Sequence, residues 1–242
     1  MANQDKVNSN GYTITFAVGM ALFVAAFLAF VSTGLQPMQD VNKAYAMKVN
    51  LLNAVGLDVE KLSSEEVESI YESKFEGLVV NTKGDNIGDK AAAFAVDMAK
   101  EVKKDPQNRA LPVFTYTGED GQKQFIVQAR GAGLWDAIWV YLALAEDKNT
   151  INGAVFGHKA ETPGLGAKIS DDAGFYEDFK GKKIFDGSEF VGITVLKGEG
   201  GNVYANATQN QVDGISGATM TCNGVTAMMQ SSLGDYIEFL KQ

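Results

Sequence analysis

The chain is poor in the residues that build metal centres and disulfides. It has one cysteine, Cys222, and one histidine, His158. One cysteine excludes an internal disulfide, and the pair cannot assemble a zinc or iron–sulfur site. Positive charge is also scarce: 21 Lys and Arg face 30 Asp and Glu, a net charge of -9. Nucleic acid and anionic lipid surfaces both select for a basic face, so neither is an expected partner. No Gly-x-Gly-x-x-Gly loop opens a helix, so a dinucleotide is not expected to bind here. No internal repeat, low-complexity tract or second domain boundary appears.

One long apolar run is present. Residues 12–35 carry no charge and include Phe16, Val18, Leu22, Phe23, Phe27, Leu28 and Phe30. Crossing hydrocarbon as a helix takes roughly 20 such residues. A cleaved signal peptide would have a shorter core, about 7–15 residues, with more positive charge before it and a small-x-small site close behind. Only Lys6 precedes the run, and Ala44-x-Ala46 lies far beyond it. A retained single-pass anchor is therefore expected, after a tail of residues 1–11. Lys6 on one side and Lys43 and Lys48 on the other leave the charge rule for orientation silent. No ionisable residue lies in the run, so no ion path is expected within it. Roughly 200 residues remain, enough for one domain with its own core.

The remaining pattern predicts an α+β domain over 63–242, with an antiparallel or mixed sheet flanked by helices. Met38, Val41, Tyr45, Leu52 and Val55 recur at helical spacing. They predict a stalk helix from near Pro37 to Gly56, within a juxtamembrane segment 36–62. Ser63 and Glu66 form a capping box for a second helix carrying Val67, Ile70 and Tyr71. Residues 78–80 read as a strand and 87–104 as a helix. Residues 113–116 and 124–127 flank a Gly118–Gly121 turn as a hairpin. Strands are expected at 138–144 and 153–156 around a turn at 147–149, and at 190–196, with a return at 203–205. A short helix is expected near Phe175 and Phe179, and a last helix through Val225, Met228, Met229, Leu233, Tyr236 and Leu240.

The chemistry concentrates in the loop before that last helix, Asp213-Gly214-Ile215-Ser216-Gly217-Ala218-Thr219-Met220-Thr221. Two readings stay open from the residues alone. Thr219 or Thr221 caps the helix, or the free amides and positive dipole end receive a phosphate. Cys222 beside the loop is either redox-active or a small buried residue, with the second favoured. A second exposed backbone stretch comes from Pro163, Gly164 and Gly166.

With these residues in view, Asp213-x-x-Ser216-Gly217-Ala218-Thr219-x-Thr221 resembles the flavinylation motif of the FMN-binding domain family. In that family the threonine after Gly-Ala is esterified to the phosphate of FMN, which by position is Thr219. The run from Asn210 to Val225 resembles the family of C subunits of sodium-translocating NADH:quinone reductases. Gly131-Ala132-Gly133-Leu134-Trp135 is similar to the family's segment beside the flavin. Glu161-Thr162-Pro163-Gly164-Leu165-Gly166 resembles its flavin-edge loop, followed by Lys168. The resemblance covers nearly the whole chain. It departs near Lys180, where the family usually carries tryptophan.

The resemblance implies covalent FMN on Thr219, with Asp213, Ser216, Gly217, Ala218, Thr221, Leu134, Trp135, Glu161, Thr162, Gly164, Leu165, Gly166 and Lys168 around it. It implies a relay subunit of a bacterial inner-membrane complex that moves electrons from NADH to quinone and exports sodium. The other subunits would be partners, and a separate flavin transferase would act once in maturation. The N-terminus would lie inside and the domain on the periplasmic side. No complete activity is expected of this chain alone, and an electron carrier needs no catalytic base. Several bland readings stand beside these. Trp135 would be core, Asp213 a turn former, Lys168 a solvated cation and His158 structural. Two other identities remain, the flavin subunit of an Rnf-type ferredoxin:NAD complex and an anchored, cofactor-free scaffold.

Overall fold

The computed structural model describes residues 9–197 and 208–242. It divides into two units, 1–47 and 48–242. Helix α1 (Asn10–Ala54) supplies nearly all of the described part of the first unit. It is long and apolar enough to cross a membrane, and none of its most apolar stretch is buried. The expected break near Pro37 is absent, and one helix continues past it. A proline removes one helical donor, and long apolar helices tolerate this where the flanking turns hold.

In the second unit the last turn of α1 buries Leu51 and Leu52 completely. It lies on Gly153, where a Cβ would run into the Ala54 carbonyl oxygen. Helix α2 (Ser64–Lys74) starts on the expected capping box: the Ser63 hydroxyl accepts from the Glu66 amide, and the Glu66 carboxylate accepts from the Ser63 amide at 2.7 Å.

The sheet has six strands: β1 (Phe75–Val80), β2 (Asn86–Gly88), β3 (Leu111–Thr117), β4 (Lys123–Ala132), β5 (Ala137–Leu144) and β6 (Ile151–His158). Their order is β2-β1-β3-β4-β5-β6 and every pairing is antiparallel. Tight turns set the register. Gly118 donates to Gln122 O across the β3–β4 turn, and Lys148 takes φ 53° between β5 and β6.

Three expectations change. The helix over 87–104 is two short helices, α3 (Lys90–Ala95) and α4 (Met98–Glu101), because 86–88 pairs with β1 and Asp97 caps a fresh start by accepting from the Ala99 amide. After α5 (Lys168–Asp171) and α6 (Ala173–Glu177), the strand over 190–196 is broken. A hairpin of β7 (Phe185–Asp186) and β8 (Glu189–Phe190) is followed by β9 (Thr194–Val195), with Gly192 at φ +64° between. β9 pairs in parallel with β10 (Gln211–Val212). The strand expected at 203–205 lies outside the described residues.

The last helix, expected to run through Leu240, is divided as well: α7 (Thr219–Ser231) ends before a 3₁₀ turn, Leu233–Tyr236, and α8 (Ile237–Leu240) follows. The core fills the space between one sheet face and these C-terminal elements. Val225, Met228 and Met229 of α7 pack with Ala129, Val140 and Phe156 in one buried cluster. The backbones of α7 and β4 approach closely. A Cβ on Gly131 would sit 2.8 Å from Met228 Cβ, and one on Gly224 would strike the Ala132 carbonyl oxygen. Tyr236 secures the far end: its fully buried hydroxyl lies 3.0 Å from Gln128 O and 3.2 Å from Pro112 O.

Candidate functional site

The close seating of α7 on β4 brings three separate segments to one place. They are the β4–β5 turn, the loop 161–166 and the start of α7. Together they line a small cleft of about 120 Å³.

The start of α7 carries no side-chain cap. Its N-cap is Ala218, so Thr219 and Thr221 stand at the first and third helical positions and neither caps it. First-turn amides have no intrahelical acceptor, and among the described residues no side chain replaces one. The positive end of the helix dipole coincides with them. Thr219 is exposed at the cleft, with Met220 beside it, 59% exposed. The preceding loop is held from within. Ala218 donates to Ile215 O at 3.0 Å, and Ile215 donates to the Cys222 sulfur at 3.4 Å. Gly217 sits at φ +79°, where a Cβ would lie 2.9 Å from Leu165 Cδ2. Cys222 therefore has a structural task. Burial raises its thiol pKa, which suppresses the reactive thiolate.

Glu161 joins the three segments. It is 5% exposed, and one oxygen accepts from the Thr221 hydroxyl at 2.6 Å while the other accepts from the Trp135 amide at 3.0 Å. Burial pushes its pKa up, but the hydrogen bonds from Thr221 and from the Trp135, Asp136 and Leu134 amides outweigh this and hold it below the usual range. The packing is tight: a Cβ on Gly166 would lie 2.5 Å from both Glu161 Oε2 and Thr221 Oγ1. The Glu161 amide donates to His158 Nδ1 at 3.2 Å, so the lone histidine is also structural. Glu161 and Thr221 thus line the cleft while their polar atoms are taken up by one another.

The rim is apolar. Trp135 is 68% exposed and not core; its indole donates to Thr162 Oγ1 at 3.0 Å, which pins the ring across the two loops. Leu134 and Leu165 are exposed too. Outside α1, five large apolar residues are exposed among the described ones, and four of them (Leu134, Trp135, Leu165, Met220) gather here. A patch like this marks a ligand or partner surface.

Of the residues singled out by sequence, Leu134, Glu161, Thr162, Leu165, Gly166, Gly217, Ala218, Thr219 and Thr221 line the cleft. Trp135 joins through its hydrogen bonds. Asp213, Ser216, Gly164 and Lys168 do not line it. Gly164 shapes the loop at φ +76°. Asp213 acts instead on Asp178, whose pKa is raised by burial and by the Asp213 charge. Met220 was missed by sequence. Its only signal was a large apolar side chain inside a polar motif.

The FMN-binding domain model matches residues 133–234, a span that contains all three segments. The C subunit of the Na(+)-translocating NADH-quinone reductase from Haemophilus ducreyi is 31% identical, over 92% of this chain and 88% of its own. The crystal structure of the same subunit from Parabacteroides distasonis is 39% identical, with a TM-score of 0.74, covering 86% of this chain and 98% of that one. NqrC of Shewanella oneidensis aligns at 27% identity and a TM-score of 0.70, over 84% and 98%. The chain therefore belongs to the NqrC family, the C subunits of Na(+)-translocating NADH-quinone reductases, and is a flavoprotein subunit of an enzyme complex with its FMN-binding domain at 133–234.

Proposed function

We propose that this chain is a covalent-FMN relay in its complex, and that Thr219 carries the cofactor through a phosphoester. The observation that carries the reading is the exposed Thr219 at the uncapped start of a thirteen-residue helix, in a cleft it shares with exposed Leu134, Leu165 and Met220. The first-turn amides and the dipole favour a phosphate at that hydroxyl. The cleft holds about 120 Å³, which suits a phosphate and its neighbourhood rather than a whole flavin. The isoalloxazine would then spread over the rim of Leu134, Trp135, Leu165 and Met220. When bound, FMN supplies the electron-transfer chemistry. The chain's residues hold and shield it: Thr219 anchors, Glu161 and Thr221 fix the loops, and the rim excludes water from one face. Linkage to Thr219 forms one O–P bond with net loss of one water relative to free FMN. A flavin transferase would perform it once, in maturation.

In the same reading, electron passage through the complex is coupled to sodium export. The domain faces the periplasm, and the other subunits are the chain's partners. α1 is the anchor, with residues 12–35 as the span and 36–62 as the juxtamembrane segment.

Intact mass tests the central point. Chain matured with its transferase should gain one FMN less one water, mapped to the peptide containing Thr219, and should fluoresce in a denaturing gel. Thr219→Val should lose both signals and nearly all NADH-driven quinone reduction by the assembled complex. An unmodified mass for the matured chain would favour a cofactor-free scaffold.

A further inference from the structure

A second groove, of about 730 Å³, gathers four cations: Lys103, Arg109, Arg130 and Lys159. This is unusual in a chain of net charge -9. Two of the four have carboxylate partners. Arg109 is bound to Asp235 at 2.6 Å and also donates to the Val102 and Lys104 carbonyls, so it is built into the fold. Lys159 lies 2.9 Å from Asp136, with its side chain 66% exposed. Such an exposed pair adds little to stability, so Lys159 can be drawn to another carboxylate. Among the described residues, Lys103 and the Arg130 guanidinium form no close ion pair; Arg130 lies 5.3 Å over the Trp139 ring, and its charge, after the Lys159 hydrogen bond, helps hold the Asp136 carboxyl below its usual pKa. Gly131 and Ala132 also line the groove.

The groove adjoins the cleft through shared elements. The β4–β5 turn places Leu134 in the cleft and Asp136 in the groove. Helix α7 starts at the cleft and ends at the groove with Ser231, a length of roughly 20 Å at 1.5 Å per residue. A protein seated in the groove would thus lie beside the exposed edge of Trp135.

We propose that this groove docks an acidic segment of a neighbouring subunit of the complex, aligning that subunit with the Trp135 rim. Concentrated positive potential on an acidic molecule selects a partner of opposite sign and sets its orientation. The inference rests on membership in a multi-subunit family and not on the bond at Thr219.

Carbodiimide cross-linking of the intact detergent-solubilised complex tests it. The reagent joins a lysine amine to a carboxylate with loss of water, and mass spectrometry maps the amide. Lys103 should link to an Asp or Glu of another subunit, while the Lys159–Asp136 link within the chain serves as internal control. R130E/K159E, which keeps the Lys103 amine, should abolish the intersubunit link and slow NADH-driven quinone reduction several-fold, most at low ionic strength, where exposed charges are least screened. In-gel flavin fluorescence should be unchanged in that variant. Recovery of Lys103 unlinked, or linked only within this chain, overturns the proposal, as does undiminished turnover of the double variant. A matured wild-type chain without fluorescence would count against the flavin reading alone and leave the cross-link result standing.

Discussion

Glu161 shows how one buried charge organises a site. Its carboxylate is ionised because four hydrogen bonds favour that form over the burial that opposes it. A folded pKa held below the unfolded value means that the stabilisation is complete above about pH 4.3 and is lost as pH falls through the lower folded value. Glu161→Gln should cost about 1–3 kcal/mol at pH 7, since the amide has one acceptor oxygen where the carboxylate offered two, so it cannot accept from both the Thr221 hydroxyl and the Trp135 amide. The gap to the parent protein should narrow below pH 4. Urea unfolding of both proteins at pH 7 and pH 3.5 checks this; a gap independent of pH would show that Glu161 acts through shape alone. The Thr221 partner was not readable from the chain. The two residues are 60 positions apart, and only the seating of α7 brings them to 2.6 Å.

At the scale of elements, α7 and β4 are held by absent side chains. Gly131 and Gly224 let the two backbones meet where any Cβ would collide. Gly224→Ala should push the start of α7 away from the β4–β5 turn, cost about 1–3 kcal/mol as overpacking does, and lower the yield of flavin-bearing chain. Thermal unfolding and in-gel fluorescence measure the two effects. Local signals read the hairpins and the capping box well, because turn glycines and Ser63 with Glu66 act within a few residues. They read 87–104 poorly. Its helical spacing was real, but cross-strand pairing of 86–88 with β1 and the Asp97 cap divided it. Tertiary pairing overrides propensity in such short segments.

For the whole molecule, the apolar N-terminal helix and the globular unit are separate in composition and in contact pattern. Residues 48–242 bury a continuous core. A chain lacking 1–47 should therefore remain in the supernatant without detergent and unfold cooperatively, whereas the full chain should pellet with membranes. Ultracentrifugation followed by a thermal melt decides it, and a truncated chain that aggregates would place part of 1–47 within the folding unit.

Local pattern in the chain was enough to read the long apolar helix, the α+β class and the loop that opens α7. Each of these depends on local composition or spacing: an uncharged apolar run, period-two and period-3.6 patterns, and glycines beside hydroxyls. Tertiary structure decided which of those residues act together. It left α7 uncapped at Ala218, turned Glu161 and Thr221 toward each other, and set Asp213 and Lys168 apart from the cleft. It also collected Lys103, Arg130 and Lys159 into one groove. The physical reason is distance. Composition and period act over a few residues, while a cleft or a charged groove is assembled by packing segments that lie far apart in the chain.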